Sequence, residues 1–497
     1  MKAHLMFKDR DFEIGGPLPS NAAQLIQDLD LGTLFTAMAS DDEYLLKVSR
    51  IALLNTLSDP QEISYRQDVF ADCLANPEVV RRVYGIAVGA ARDQREMFWF
   101  TTKSSLSGMM SQSPQIIGMF LHHLKALRRL ADEEIASFTS EGWSTLFKVL
   151  RSELSDEYFS VVEEHLQELK FKDGTLISAT LGVANNGTDY VLRDPRNTKR
   201  RLRERLGVGG RTSYSFEVAP RDEAGHRAVR EILDRGSNTA ANSLTQAADH
   251  IADFFLMLRA ELAFYVACLN LHDTLTLKGE PTCRADARPW DPATLRSTGL
   301  YDVCLSLRNE SRVVGNEVEA DGRSLVVVTG ANSGGKSTFL RSVGIAHLMM
   351  GSGMFVPADS FRASVFVRLF THFFREEDTT MTSGKLDEEL ARMSEIVGNV
   401  TSKCWVLLNE SFSATNEREG SEIARQVIRA LIDSNIRVVV VTHLYDLAHG
   451  FYAEPPSPTL FLRAERETDR GRTFKLQVGD PLPTSFGEDV YERMGGW

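Results

Sequence analysis

Cysteine is scarce in this 497-residue chain: Cys73, Cys268, Cys283, Cys304 and Cys404 are its five, at no paired spacing. That scarcity excludes a disulfide framework, offers no zinc-ligand pattern, and suits a reducing, cytoplasmic compartment. Long hydrophobic runs are missing as well. No stretch approaches the roughly 18 consecutive apolar residues of a membrane helix. The N-terminus, with Asp9, Asp11 and Glu13, lacks the apolar segment of a secretory leader. Neither a membrane nor export is therefore expected. Positive charge is short too: 56 Lys and Arg stand against 68 Asp and Glu, a net charge of −12. This excludes coating of nucleic acid through overall potential and leaves only a local contact surface. What is present, 43% apolar and 25% charged residues, is the composition of a soluble globular chain. Its length allows about three domains.

Residues 20–170 read as helices. Apolar positions recur at three and four in Leu45, Leu46, Val48, Ile51 and Leu54, and again in Phe120, Leu121, Leu124, Leu127 and Leu130, the stripe of an ordinary helical core. From about 170 to 225 the texture changes to glycines, short β-prone pieces and the basic cluster Lys199, Arg200, Arg201, Arg203 and Arg205, which reads as an insertion between helices. No Gly or Pro lies between Gly236 and Gly279, which predicts a strut-like helix of about 40 residues and roughly 60 Å. Three prolines in 281–292 mark a linker, placed at 281–303. Strand and helix signals then alternate: Leu325 to Val328, a helix from Lys336, Val365 to Phe370, a helix from about Asp387, Trp405 to Leu408, a helix from Glu422 to Ile432, and Arg437 to Val441. Such alternation predicts a mainly parallel sheet with flanking helices and a ligand at its carboxyl edge.

Gly330-Ala331-Asn332-Ser333-Gly334-Gly335-Lys336-Ser337-Thr338 follows the first of these strands and opens a helix, the context of a phosphate-binding loop. Backbone N–H groups would curl around phosphates, Lys336 would reach the β/γ oxygens, and the Ser337 hydroxyl would ligate magnesium, so ATP with magnesium is the expected ligand. Two further strands end in polar pairs. Asn409-Glu410 stands where the acidic end of a hydrolytic site belongs: Asn409 would help hold magnesium through a neutral oxygen, and Glu410 would deprotonate the attacking water. Thr442-His443 delivers to the same rim a histidine able to sense or polarise the γ-phosphate.

The loop Thr329 to Thr338, Asn316 at the preceding turn, Asn409-Glu410, Thr415 with Gly420 beyond it, Thr442-His443, the segment Gly353 to Pro357 and Ser383-Gly384 together resemble the MutS family of mismatch-repair ATPases. The resemblance implies a mainly α N-terminal core and lever region (1–280), with a clamp-like insertion at about 170–225, followed by an α/β P-loop ATPase domain of ABC/MutS type (304–497). It implies a composite nucleotide site in a homodimer, with Asn316 binding nucleotide and Ser383 reaching the γ-phosphate in trans, and with Ser413 to Asn416 and Glu417 in a loop crossing between subunits. Asp59-Pro60, Ile63 and Arg66-Gln67 echo the family's core motif.

The chain departs from the family pattern in three places. Asn409 replaces the usual acidic residue, which makes binding a firmer expectation than turnover. No Phe-x-Glu occurs in the first 100 residues, so the mismatch-reading domain is expected to be absent. The sequence stops at Trp497, so no nuclease-like or small-MutS-related domain is expected to follow. From Arg193 to Arg211 eight basic residues face Asp194 and Glu204. At the family's clamp position, Lys199, Arg200, Arg201, Arg203 and Arg205 are the candidates for contact with DNA. Without interleaved aromatics they would read backbone or shape, and binding would weaken steeply with salt. The leading expectation is an ATP-hydrolysing, DNA-binding homodimer that clamps duplex, mismatched or branched DNA. The alternative is a weakly hydrolysing, nucleotide-gated protein-interaction module. An SMC-like ATPase is disfavoured because no long coiled coil separates Lys336 from Glu410, and a transport ATPase because no Ser-Gly-Gly-Gln signature is present.

Overall fold

The computed structural model describes residues 1–99, 106–169, 174–193, 214–331, 334–375, 384–466 and 472–482. These form a helix-rich N-terminal region and an α/β region after it. The chain divides into two compact units. Unit one comprises 1–3, 78–139 and 143–259; unit two comprises 4–77, 140–142 and 260–497.

In unit one the apolar stripe of the helix Leu106–Glu134 is core: Phe120, Leu121, Leu124, Leu127 and Leu130 are all buried. Phe120 stacks on Phe255 at 5.6 Å, and Phe138, Trp143 and Phe147 cluster with ring centroids 4.7 to 5.3 Å apart. Strands β1 (Leu176–Leu181) and β2 (Gly187–Arg193) form an antiparallel hairpin. The basic run Lys199, Arg200, Arg201, Arg203 and Arg205 lies outside the described residues. Helix α1 spans Glu223–Leu277, 55 residues, and begins earlier than its glycines suggested. Asp222 accepts the Gly225 N–H at 2.9 Å and so caps its start. Gly236 is tolerated inside it because a Cβ there would stand 2.7 Å from Ile177 of the hairpin. By length and composition α1 could cross a membrane, but 78% of its most apolar window is buried, as in the core helix of a globular fold.

Unit two holds a six-stranded sheet. Its strands are β5 (Leu325–Thr329), β6 (Leu369–Phe373), β7 (Trp405–Asn409), β8 (Arg437–Val441), β9 (Thr459–Arg466) and β10 (Arg472–Val478), in the order β6-β7-β8-β5-β9-β10. All pairs are parallel except β9 with β10. Helices α2 (Lys336–Ser352), α3 (Lys385–Asn399), α4 (Glu417–Asp433) and α5 (Tyr445–Ala453) accompany it. Val406, Leu408, Val438 and Val440 pack with Ile428, Leu431 and Phe451, whereas Leu407 meets α2 at Gly344. Burial on both faces explains why β5 and β8 read as unbroken apolar runs. A smaller sheet contains the antiparallel pair β3 (Leu295–Leu300) and β4 (Asn316–Glu319).

Two expected boundaries move. The strand expected at Val365 to Phe370 begins at Leu369, because Val365 N–H instead donates to Arg288 O at 2.8 Å and Val367 N–H to Lys403 O at 2.9 Å. Helix α4 starts at Glu417, before Glu422, because the Asn416 side chain caps it by accepting the Glu419 N–H at 3.0 Å. Strands β9 and β10 were not anticipated.

Residues 4–77 belong in space with the sheet, a grouping that linear order does not suggest. In the helix Pro60–Ala75, Asp59 accepts the Gln61 N–H at 2.8 Å and Pro60 opens the first turn. Arg66 is fully buried and donates to Met6 O at 2.8 Å and to Ser352 O, at the end of α2, at 3.1 Å. Gln67 donates to Ala285 O at 3.1 Å. The Asp59 to Gln67 motif thus fastens the N-terminal segment to the helix that follows the glycine-rich loop.

Candidate active site

Three adjacent strands end level with one another: Asn409 pairs with Val441, and Val441 with Val328. The next residues are bonded across the same edge, Glu410 N–H to Val441 O at 2.9 Å and Thr442 N–H to Val328 O at 3.1 Å. Register alone therefore brings Asn409-Glu410 and Thr442-His443 beside the loop leaving β5.

In that loop Gly330 has φ 111°, and a Cβ on it would meet the Ala464 backbone N at 2.9 Å, so a side chain is excluded twice over. Gly335 caps α2 in the left-handed conformation. Asn332 and Ser333 lie outside the described residues, as does Ser383. Lys336 is the first residue of α2 and nearly buried; its Nζ donates to Gly330 O at 2.9 Å and Ala331 O at 3.1 Å. The Ser337 hydroxyl donates to Asn409 Oδ1 at 2.9 Å. Two oxygen ligands of the kind magnesium takes thus converge at the N-terminus of a 17-residue helix.

Beside them opens a cavity of about 500 Å³, lined by Gly334 to Thr338, Asn316 and Phe474 among others. This is ordinary for a small-molecule site. Asn316 lines it, but its amide is engaged with β10: Nδ2 donates to Phe474 O at 3.2 Å and Oδ1 accepts the Leu476 N–H at 2.8 Å. Asn316 thereby fixes the wall that carries Phe474, an apolar ring about half exposed on a backbone with φ 57°. Sequence reasoning missed Phe474, which lies far along the chain from the loop in a strand that was not anticipated. It also missed Asp302, whose carboxylate accepts the Leu305 N–H at 3.1 Å and pairs with Arg341 of α2 at 2.6 Å. The signal for Asp302 was available, an acidic residue three positions before the apolar Leu305 in a short helix.

Glu410 (φ 53°) turns its carboxylate to His443: Oε2 accepts the His443 backbone N–H at 2.9 Å and its ring Nδ1 at 2.6 Å. Burial pushes the Glu410 carboxyl up, but the hydrogen bond and charge of His443 and the charge of Lys336 outweigh it and hold the group below the usual carboxylate range. The bond to Glu410 raises His443 above the usual imidazole range, against burial and Lys336. Thr415 bonds the Glu419 carboxylate at 2.7 Å. Ser413 Oγ donates to Glu410 O at 2.7 Å. Glu417 is the first residue of α4, and it accepts the Tyr445 and Asp446 N–H groups at 2.8 and 3.3 Å, capping α5.

The sign of the pair's pH linkage follows. The Glu410 contribution is present above the usual carboxylate range and lost as pH falls through its lowered value. The His443 contribution is complete below about 6.5 and lost as pH rises through its raised value. In His443→Gln the charge and ring bond are gone while the backbone N–H and Lys336 remain, so the Glu410 carboxyl, followed by NMR, is expected to titrate at higher pH than in wild type. An unmoved titration would show that the His443 ring does not hold Glu410 low.

Residues 58–278 match the family model for the MutS2 N-terminal domain, and residues 326–494 that for MutS domain V. MutS protein homolog 4 of Mus musculus is 25% identical over 294 residues, covering 56% of this chain and 29% of the relative. Endonuclease MutS2 of Geobacillus kaustophilus (strain HTA426) is 28% identical over 191 residues, 38% of this chain and 24% of the relative. DNA mismatch repair protein MutS of Haloquadratum walsbyi (strain DSM 16790 / HBSQ001) is 26% identical over 194 residues, 38% of this chain and 21% of the relative. The matches span less than a third of each relative's own length.

Proposed function

Because the chain belongs to the MutS family, we propose that it is an ATP-dependent DNA-binding protein that hydrolyses ATP at the carboxyl edge of its six-stranded sheet and acts as a homodimer. The observation that carries this reading is the level ending of β5, β7 and β8, which sets Ser337 against Asn409 and Glu410 against His443 beside the loop. The loop N–H groups and Lys336 would bind the triphosphate. Magnesium, held by Ser337 and Asn409, would neutralise phosphate charge. Glu410 would orient a water and take its proton as the water oxygen bonds to the γ-phosphorus and the bond to the β-bridging oxygen breaks, giving ADP and phosphate. His443 would hold the Glu410 carboxylate in place until a substrate water competes for it. Ser383 of a second copy would complete the site, and the basic run Lys199 to Arg205 would contact DNA phosphates in a cytoplasmic protein.

One observation favours a second reading. Asn409 is neutral, so magnesium would lose one anionic neighbour, and a nucleotide-gated interaction module with negligible hydrolysis would follow. Mobility shifts at low salt with homoduplex, mismatched and four-way-junction DNA, with and without a non-hydrolysable ATP analogue, together with single-turnover hydrolysis by wild type and Asn409→Asp, separate the two. The DNA-binding ATPase requires a nucleotide-dependent shift with at least one DNA and measurable wild-type turnover. Absence of any shift, with a gain of about tenfold or more in Asn409→Asp, would support the module.

A further inference from the structure

The carboxylate assigned as base sits on a turn that Ser413 Oγ closes locally on Glu410 O and that is also held from outside. Glu410 and Phe412 both adopt left-handed conformations, with φ of 53° and 62°, a region disfavoured for any residue with a Cβ. Residues outside the turn help to keep them there. The residues that do so come from β6 and α3. Glu389, in the second turn of α3, is 3% exposed, and its Oε1 accepts the Phe412 N–H at 3.1 Å.

The second contact runs through His372 of β6, which is completely buried. Burial pushes its ring down to about 4, so at neutral pH it is uncharged. Its Nε2 lies 3.0 Å from Glu389 O and its Nδ1 2.7 Å from Ser411 Oγ, whose hydroxyl donates to His372 O at 2.8 Å, so ring and backbone of His372 both meet Ser411. The His372 ring stacks on Phe412 with centroids 5.5 Å apart. Glu389 therefore meets the turn twice, its side chain at the Phe412 N–H and its backbone carbonyl through His372 at Ser411.

We propose that Glu389 is a positioning residue for the hydrolytic step, holding the turn that aims Glu410 at His443 and at the attacking water. The inference rests on the reading of Glu410 as the base. It requires an acceptor at Glu389 within reach of the Phe412 amide, and it does not require negative charge there.

The test is single-turnover ATP hydrolysis by the full chain, with ATP affinity measured in parallel on Glu389→Gln and Glu389→Ala. Glu389→Gln keeps the acceptor oxygen and is expected to stay within about threefold of wild type. Glu389→Ala is expected to lose between about ten and a hundredfold in turnover, the scale of a catalytic group misplaced by about 1 Å, with ATP affinity within about threefold. Wild-type turnover in Glu389→Ala, an equal loss in Glu389→Gln, or a loss of affinity that matches the loss of turnover would each overturn the proposal. Amide exchange at Phe412, compared between the wild-type chain and Glu389→Ala, judges the grip without any activity readout. Protection of about a hundredfold or more over an unstructured peptide is expected in wild type, and less in Glu389→Ala; wild-type exchange at the unstructured rate, or equal exchange in the two, would overturn it. If wild-type protein bound ATP but hydrolysed none, the proposed function would fall on that ground, and the exchange result would still decide whether Glu389 holds the turn.

Discussion

In Glu410→Gln, ATP turnover is expected to drop by about 10² to 10³-fold, while ATP affinity stays within about threefold, because a general base contributes at this scale and only in the transition state. The substitution suits the geometry. Gln keeps an oxygen able to accept the His443 N–H groups now bonded at 2.9 and 2.6 Å, so the left-handed turn and the His443 contact survive while the proton acceptor is lost. Lys336 lends charge to the same carboxylate, and removing the negative group leaves that positive charge free to favour the triphosphate. Affinity equal to or slightly above wild type is therefore part of the expectation. The measurement is phosphate release beside nucleotide titration on the same preparations. Turnover that survives would assign the base to another group.

Lys336→Met should act the other way, on binding. Its Nζ is held by Gly330 O and Ala331 O at 2.9 and 3.1 Å, and a charge-assisted hydrogen bond to phosphate is worth about 1.5 to 3 kcal/mol. Loss of one such bond corresponds to a decrease in ATP affinity of roughly ten to 150-fold. Met is preferred to Ala because the side chain is almost wholly buried; Met fills the same volume, so the effect is not confounded with a cavity. Titration with ATP and with ADP checks the assignment. A lysine that reaches the β/γ oxygens predicts a larger loss for ATP, and equal losses for adenosine and ATP would contradict a phosphate contact.

How much of this was legible in the chain depended on the kind of burial. Leu325 to Val328 and Arg437 to Val441 were readable because strands covered on both faces become unbroken apolar runs. Once those strands were located, the polar residues at their ends followed, since parallel strands of similar length finish at one rim. Strands β9 and β10 escaped because they pair antiparallel at the far side of the sheet and interleave polar residues, as in Arg472-Thr473-Phe474-Lys475, which gives a weaker signal. With them went Phe474. The early start of α4 was readable in principle, for Asn416 followed at three by Glu419 is a helix-opening pattern. The start of α1 was not: Gly236 argues against a helix until Ile177 is known to press on it. The grip of Arg66 on Ser352, or of Glu389 on Phe412, joins residues that no local pattern pairs. The sequence placed Glu410 and His443 at one rim, but only the coordinates make them hydrogen-bonded partners.

In the proposed function the loop opening α2 and the ends of β7 and β8 form one ATP-hydrolysing site. Its most direct test is rapid mixing of excess wild-type protein with γ-labelled ATP and magnesium, following bound ATP and released phosphate together over a single turnover. The account predicts that ATP binds and is converted to ADP and phosphate, and that Lys336→Met at the same concentration neither binds nor converts it to the same extent. Bound ATP that remains intact in wild type, with and without DNA, or hydrolysis that is undiminished in Lys336→Met, would contradict it.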